Sequence, residues 1–419
     1  MLSAQTPLAA GIRRPTLVLD EDRARTNLDR MVRRAQRIGV RLRPHFKTHQ
    51  SAAIGTWFRE RGVEAITVSS VEMARYFAHA TKTGWRDITV AVPVNPHEVA
   101  ALVDLRRHIE LGLLLDDPAT LQWFPSRWPG PVRLWIKVDV GSGRAGIAWD
   151  DANRLAALAE AARAHPDLEL AGLLSHAGHT YHAAGPDEVR AVHRSGLARL
   201  IEAQGHLVAA GFAPGQISIG DTPGCSLAEE FGAADEIRPG NFIFYDLMQL
   251  AVGACRPDDL ALAVLCPVTG KYPRRGQLNL YGGAVHFSKE ALAPRTGPFA
   301  GRTIYGYLIH AGPDGLGALE TRGALVNLSQ EHGTLETSPD LFERIQIGDW
   351  VAISPVHACL TANLYREYRT FAGGHLPRLT SVVAESELAR HPANDRLGGA
   401  GGGVDGVDND PDDLSRRPR

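Results

Sequence analysis

Over its first 250 residues the chain alternates short apolar runs with amphipathic stretches, and then its rhythm changes. Apolar runs of strand length occur at 41–47, 65–70, 87–94, 109–116, 133–140, 170–176, 216–220 and 236–246, eight in all. Between most of them, as at 71–80, 97–105, 152–164 and 188–210, apolar residues recur at three- and four-residue spacing, the period of a helix with one buried face. Strands alternating with helices imply right-handed crossovers and a parallel sheet, and eight such units imply a closed (β/α)8 barrel of the TIM type. A doubly wound sheet is the competing α/β arrangement, but it usually carries a glycine-rich first turn. No Gly-x-Gly-x-x-Gly follows the first short strand at 16–20.

Beyond residue 251 the apolar runs shorten, at 261–269, 277–282, 303–310, 324–331, 350–355 and 368–372, and helical periodicity largely disappears. The pattern predicts an α/β barrel domain over 14–250 and a mainly β domain over 251–390, which the N-terminal arm can join. The segment 396–419, rich in Gly, Asp and Arg with few apolar groups, reads as a disordered tail.

Composition narrows the partners. Forty-five basic and 47 acidic residues nearly cancel, so nothing in the balance points to nucleic acid or an anionic membrane surface. A small molecule is the expected ligand. Cys225, Cys255, Cys266 and Cys359 are widely spaced with no Cys-x-x-Cys, which suits a reducing cytoplasm rather than a disulfide framework. No apolar h-region occupies residues 1–15 and no apolar run approaches about 18 residues, so neither export nor a membrane span is expected.

In a barrel the active-site face is built from residues just after each strand. That rule gathers the distinctive residues at one rim: Lys47 ends the first strand, Arg144 follows the fifth, residues 176–181 the sixth, 220–224 the seventh, and Gly240-Asn241 belongs to the eighth unit. Lys47 is one of five lysines in a chain that otherwise uses arginine. An amine can lose its proton when desolvated and form an imine with a carbonyl, whereas a guanidinium cannot. The small-residue loops GDTPG (220–224) and RPGN (238–241) each read alone as an ordinary turn, but together after the last two strands they suit a phosphate held by backbone N–H groups.

In KVDVGSGR (137–144) the period of two puts Lys137 and Asp139 on one strand face, and the glycines let Arg144 reach back over the rim. There its fork suits a carboxylate or a phenolic oxygen; a buried salt bridge closing the barrel is the alternative. Lys137, inside a barrel, must be paired or modified. SHAGHTY (175–181) brings His176, His179 and Tyr181 onto one loop, better placed for packing and hydrogen bonding to a cofactor than for metal. On a strand, His357 and Cys359 of SPVHACLTAN (354–363) would share a face and could converge on Zn²⁺, although a buried cysteine beside a satisfied histidine is the plainer reading of so short a motif.

Taken together, RPHFKTH, KVDVGSGRAG, HAGHTY, GDTPG, RPGN and HAC, in that order over about 14–388, resemble the fold-type III pyridoxal phosphate enzymes. The likeness is to the branch of D-serine dehydratases, D-threo-3-hydroxyaspartate dehydratases and D-threonine aldolases. The resemblance implies that Lys47 tethers pyridoxal 5'-phosphate and that Gly220, Thr222, Gly240 and Asn241 surround its phosphate. It places Arg144 near the phenolic oxygen, His176 against the cofactor and Tyr181 towards the pyridine nitrogen. Lys137 matches a lysine that alanine racemases sometimes carry as a carbamate.

His357 and Cys359 become metal ligands, for Zn²⁺ first and Mn²⁺ or Mg²⁺ as alternatives. His-x-Cys resembles the dehydratases, whereas the aldolases carry His-x-Asp, whose harder oxygen suits Mn²⁺ or Mg²⁺. The implied activity is therefore β-elimination of water from a D-3-hydroxy amino acid, giving a 2-oxo acid and ammonia. Retro-aldol cleavage to glycine and an aldehyde, racemisation, and cofactor carriage without turnover are the alternatives. A cytoplasmic homodimer is also implied. One stretch departs from the family pattern: YGGAVHFSK (281–289) does not resemble the Asp-Ala-Gly segment expected there, and His286 or Lys289 in it could read a different substrate side chain.

Overall fold

A computed structural model describes residues 12–80 and 84–379. Residues 1–11, the end of the predicted β domain and the predicted tail at 396–419 lie outside the described residues.

The chain enters through β1 (Thr16–Leu19) and turns at Asp20 into the helix Glu21–Ile38, whose first turn is capped by the Asp20 carboxylate accepting from the Arg23 N–H. Gly39 ends that helix in the left-handed conformation, at φ +70°, where its N–H reaches the carbonyls of Ala35 and Gln36. The barrel follows: β2 (Arg41–Leu42), β3 (Ala65–Val68), β4 (Asp87–Pro93), β5 (Glu110–Leu115), β6 (Val132–Asp139), the short β7 (Ile147–Ala148) beside the end of β6, β8 (Leu168–Leu174), β9 (Gln216–Ile219) and β10 (Glu236–Ile237). The eight main strands pair in parallel in the order β2-β10-β9-β8-β6-β5-β4-β3. A parallel bridge between His45 and Thr67 joins the two ends of that order.

The expected (β/α)8 architecture is therefore present, with the first and eighth strands much shorter than their apolar runs, the first being regular only at Arg41–Leu42. The eighth run, 236–246, is regular only at Glu236–Ile237 and then breaks into a turn at Asn241–Ile243 and the helix Leu247–Ala251. Pro239 has no N–H with which to continue a ladder.

A charged cluster packs the barrel floor. Arg43, 1 % exposed, donates Nε to Glu236 at 2.7 Å and both terminal nitrogens to Asp87 at 2.6 and 3.1 Å. Asp87 also accepts from Arg41 and Arg133, so three strands are tied through one carboxylate, and Glu236 joins a fourth through Arg43. Burial works to raise its pKa, but the guanidinium groups of Arg43 and Arg133 hold it well below the usual carboxylate range.

Above this floor Phe46, fully buried, meets Phe58, Phe77 and Trp85 with ring centroids 4.8, 5.0 and 5.1 Å away. These edge and tilted contacts fix the backbone next to Lys47. Phe46→Ala should cost about 3–5 kcal/mol of stability. Denaturant unfolding checks this, and a loss below about 1 kcal/mol would show that the cluster does not hold the loop.

The second domain is a curled antiparallel sheet: β11 (Leu262–Tyr272), β12 (Gln277–Tyr281), β13 (Gly306–Ala311), β14 (Leu316–Leu328), β15 (His332–Thr337), β16 (Trp350–Pro355), β17 (Glu367–Thr370) and β18 (His375–Pro377). Its order is β12-β15-β14-β13-β16-β11-β1-β17-β18, and β12 also pairs with β11, closing six strands into a ring. The N-terminal strand β1 lies between β11 and β17, with Thr16 opposite Leu265 and Val18 beside Arg369. The first strand of the chain thus belongs to the last sheet to be made.

Candidate active site

Past Leu42 the chain continues as an extended segment, its Phe46 N–H donating to Thr67, before turning through Lys47. Thr48 and His49, which follow it, are buried. Gln50 adopts φ +46°, an uncommon conformation for a residue with a Cβ, and its side-chain amide donates both to the Lys47 carbonyl and to Asn363 Oδ1, each at 3.1 Å. A barrel loop is thereby locked to the β domain. Burial lowers the pKa of the Lys47 amine; Arg144 and Arg238 push it the same way and the Cys359 sulfur opposes them. An amine so placed is more readily neutral than an exposed lysine.

The rim residues predicted from position converge on this amine. His176 directs Nδ1 at the Gly220 carbonyl at 2.5 Å. A carbonyl only accepts, so Nδ1 carries the proton and Nε2 keeps its lone pair. Burial, followed by Lys47, Arg144 and Arg238, holds this imidazole well below its ordinary pKa. The Tyr181 hydroxyl accepts from the Thr222 N–H at 3.4 Å, and burial pushes its pKa up.

Two loops expected to surround a phosphate meet at Thr222, which opens the short helix Thr222–Leu227. Its Oγ1 accepts from the N–H groups of Gly240, at 3.3 Å, and Asn241, at 3.0 Å. A Cβ on Gly240 would lie 2.9 Å from the His45 carbonyl and from Thr48 Oγ1, so only glycine lets this loop approach the Lys47 turn so closely. Asn241 donates Nδ2 to Asp246 at 2.5 Å, while its buried Oδ1 has no hydrogen-bond partner. Arg144 is exposed, but its charge is felt by His45, Lys47, Lys137 and His176.

Lys137 is buried inside the barrel. Among the described residues no carboxylate pairs with it; Nζ donates to the Val138 carbonyl at 3.1 Å. Burial, helped by Arg238 and Arg144, lowers its pKa to about 7. The salt bridge that closes the barrel lies at the floor, among Arg43, Asp87 and Glu236, and not on the 137–144 stretch.

The His-x-Cys motif sits on a different element from the one assumed. β16 ends at Pro355, His357 precedes the short helix Ala358–Ala362, and Cys359 lies in its first turn. The two side chains still face each other. Burial would lower the pKa of His357, but the Cys359 sulfur, Asp246 and Glu290 raise it to about 9. Cys359 Sγ lies 3.3 Å from Thr48 Oγ1, next to Lys47 in sequence, so the pair belongs to the same site. Among the described residues no group of three or more His, Cys, Asp or Glu side chains is arranged to hold a metal ion; this pair offers two donors.

Two residues that sequence reasoning passed over organise the site. Arg238, 5 % exposed, donates to the Ser218 hydroxyl at 2.7 Å and to the Ser175 carbonyl, and places a fixed cation beneath Lys47, His45 and His176. RPGN contained it, but attention to the loop's backbone N–H groups hid the side chain. Asp246 accepts from Asn241 and, at 2.8 Å, from the Ala358 N–H, joining the barrel loop to the helix that bears Cys359. The departing stretch at 281–289 forms the end of β12 and the helix Ala284–Phe287, with His286 packed edge-on against Tyr281 at 5.5 Å.

Comparison with known proteins agrees with the barrel fold. The alanine racemase N-terminal domain model matches residues 19–247 and the serine dehydratase domain model matches 261–371. The chain belongs to the alanine racemase N-terminal domain family, in the branch with a serine dehydratase domain. Within it, the chain is similar to D-threo-3-hydroxyaspartate dehydratase of Delftia sp. (strain HT23), 31 % identical over 367 residues that cover 85 % of this chain and 94 % of that protein. D-serine dehydratase of Dictyostelium discoideum is 29 % identical, covering 84 % and 91 %. D-threonine aldolase of Arthrobacter sp. is 31 % identical over a shorter span, 55 % of this chain and 61 % of that protein.

The solved structure of the Delftia enzyme superposes with a TM-score of 0.79 at 29 % identity, covering 88 % of this chain and 98 % of that one. Solved structures of D-threo-3-hydroxyaspartate dehydratase include a His-to-Ala mutant and a Cys-to-Ala mutant in a metal-free form, the two altered positions two residues apart. No helix among the described residues of the present chain is long and apolar enough to cross a membrane.

Proposed function

We propose that this family member is a pyridoxal phosphate- and metal-dependent lyase that removes water from a D-3-hydroxy amino acid, giving a 2-oxo acid and ammonia. The observation that carries the proposal is the 3.3 Å approach of Cys359 Sγ to Thr48 Oγ1, which sets a His-x-Cys metal pair beside the candidate tether Lys47. The two dehydratase relatives match 85 % and 84 % of this chain in sequence and the D-threonine aldolase 55 %, which favours dehydration over aldol cleavage. In this reading the barrel, 14–250, holds the cofactor and the β domain, 251–390, supplies the metal ligands.

The residues fit both groups. For pyridoxal phosphate there is a buried amine of lowered pKa, a glycine-lined cradle at Gly220 and Gly240, Thr222 at its centre, and an unpartnered Asn241 Oδ1. The His357 imidazole and the Cys359 sulfur, which face each other, suit a thiophilic ion. Zn²⁺ is the first candidate on that chemistry, with Mn²⁺ and Mg²⁺ behind it. Bound here, pyridoxal phosphate supplies an electron sink for charge at the substrate's α-carbon, and the metal a Lewis acid for the β-hydroxyl.

The chain's own groups do the rest. Lys47 Nζ, once displaced from its tethering role, takes the α-proton, and its burial beside Arg144 and Arg238 favours the neutral, accepting form. Neutral His176 keeps an acceptor nitrogen free of the Gly220 bond, and Tyr181 stays protonated as a hydrogen-bond donor. Arg144 offers the charged fork for a phenolic oxygen or a carboxylate. The α-proton and the β-hydroxyl together leave as water, and hydrolysis of the resulting enamine yields the 2-oxo acid and ammonia.

Incubating metal-replete protein with D-serine, D-threonine and D-threo-3-hydroxyaspartate should give 2-oxo acid and ammonia. Glycine plus aldehyde as the main products would replace dehydration by aldol cleavage. A homodimer in the cytoplasm completes the proposal, and a monomer mass in light scattering would remove the first part of it.

A further inference from the structure

His357 has two ring nitrogens and one neighbour that its metal role does not use. Nδ1 is buried, has no hydrogen-bond partner, and lies 3.9 Å from Glu290 Oε2. Asp246, the other carboxylate near this imidazole, already accepts from Asn241, Gln249 and Ala358. Glu290 has no such commitments: among the described residues His357 is the only cationic side chain within ion-pair distance of its carboxylate.

Nor is Glu290 placed by a loose loop. Ser288, at φ +68°, turns the chain sharply at the end of the helix Ala284–Phe287, and its hydroxyl accepts from the Glu290 N–H at 3.2 Å. One residue earlier, the Phe287 carbonyl accepts from Thr361 Oγ1 at 3.0 Å, which pins this turn to the helix that bears Cys359. A left-handed serine held between two such bonds is backbone geometry maintained at some cost, of the kind that accumulates around functional sites.

We propose that Glu290 is the outer carboxylate of a carboxylate–histidine–metal relay: His357 Nδ1–H donates to Glu290, directly or through one water, so that Nε2 is presented to the metal. The proposal rests on His357 and Cys359 being the metal ligands. It gives the departing stretch at 281–289 a purpose, since that stretch delivers the residue next after it to the metal histidine rather than reading the substrate with His286 or Lys289. Closing 3.9 Å to a hydrogen bond takes about 1 Å, within the reach of a half-exposed glutamate side chain. Ligating histidines commonly hold their second nitrogen this way, and loss of the outer partner lowers metal affinity by about 10–100-fold.

The test is Zn²⁺ affinity of the cofactor-loaded protein, measured by competition with a chromophoric chelator, for wild type, Glu290→Ala, His357→Ala and the double variant. Retained visible absorbance of the cofactor shows that each variant is folded. The expected result is a loss of about 10–100-fold for Glu290→Ala, a larger loss for His357→Ala, and no further loss in the double variant. Wild-type affinity in Glu290→Ala with weak binding in His357→Ala would overturn the relay alone, as would losses that add in the double variant. Wild-type affinity in His357→Ala would overturn the metal pair itself, and the relay with it.

Discussion

Lys47→Ala should abolish the visible absorbance that a lysine-bound pyridoxal phosphate gives and lower turnover by well over about 10²–10⁴-fold, the range for loss of a general base alone, because the same substitution removes the tether. The reason lies in the surroundings of the amine. It is partly buried, it is bracketed by Arg144 and Arg238, and it stands on a turn whose backbone is fixed by Phe46 below and Gln50 beside it. A Lys47→Arg protein should be equally inactive, since guanidinium cannot form the imine or accept a proton at working pH. Absorption spectra and single-turnover assays check both. Persistence of the band in Lys47→Ala would move the tether to another amine, and Lys137, buried with its pKa lowered to about 7, would be the next to examine.

The second large effect concerns metal. Cys359→Ala should lower metal affinity by more than about 100-fold, beyond the loss from removing an outer partner, and dehydration should fall with it. Pyridoxal phosphate binding should survive, because Lys47, Thr222, Gly240 and Asn241 belong to other elements. Chelator treatment of the wild type should reproduce the loss, and added Zn²⁺ should reverse it. Metal content measured by atomic emission, alongside activity, decides the matter: a variant with full metal content would place the ion elsewhere, and a metal-free wild type with full activity would end the Lewis-acid role. A solved D-threo-3-hydroxyaspartate dehydratase with a Cys-to-Ala change is in a metal-free form.

The barrel was legible because helices and strands write different periods, and eight repetitions of the contrast leave little choice of architecture. The rim followed from the barrel: once Lys47, residues 176–181 and the two small-residue loops were assigned to strand ends, their meeting was a consequence of closure. What failed was local. On a strand the period of two would put His357 and Cys359 on one face, but Pro355 ends the ladder and the chain winds into a helical turn. In that turn the helix, not the alternation of a strand, brings the sulfur towards Thr48. Arg238 and Asp87 were invisible for a different reason: a buried charge is recognisable only from its partners, and those lie on other elements, 63 positions away for Arg238 and Ser175 and 46 for Asp87 and Arg133. Glu290 is the same kind of case, a surface-type residue that gains meaning only where its segment folds against His357.

The position of β1 has a consequence for how the chain is made. Its antiparallel partner, Leu262–Leu265, emerges about 250 residues after it, and its parallel partner at Arg369 and Thr370 later still. At synthesis rates of about 5–20 residues per second, this apolar strand waits roughly 10–50 seconds on the ribosome with its edges unpaired while the whole barrel forms behind it. An edge left open for that long is a template for pairing with another chain. Expression yield should therefore respond more to slow translation or chaperone supply than the stability of the finished barrel would indicate, and aggregates should carry β1 rather than barrel strands in their protease-resistant core.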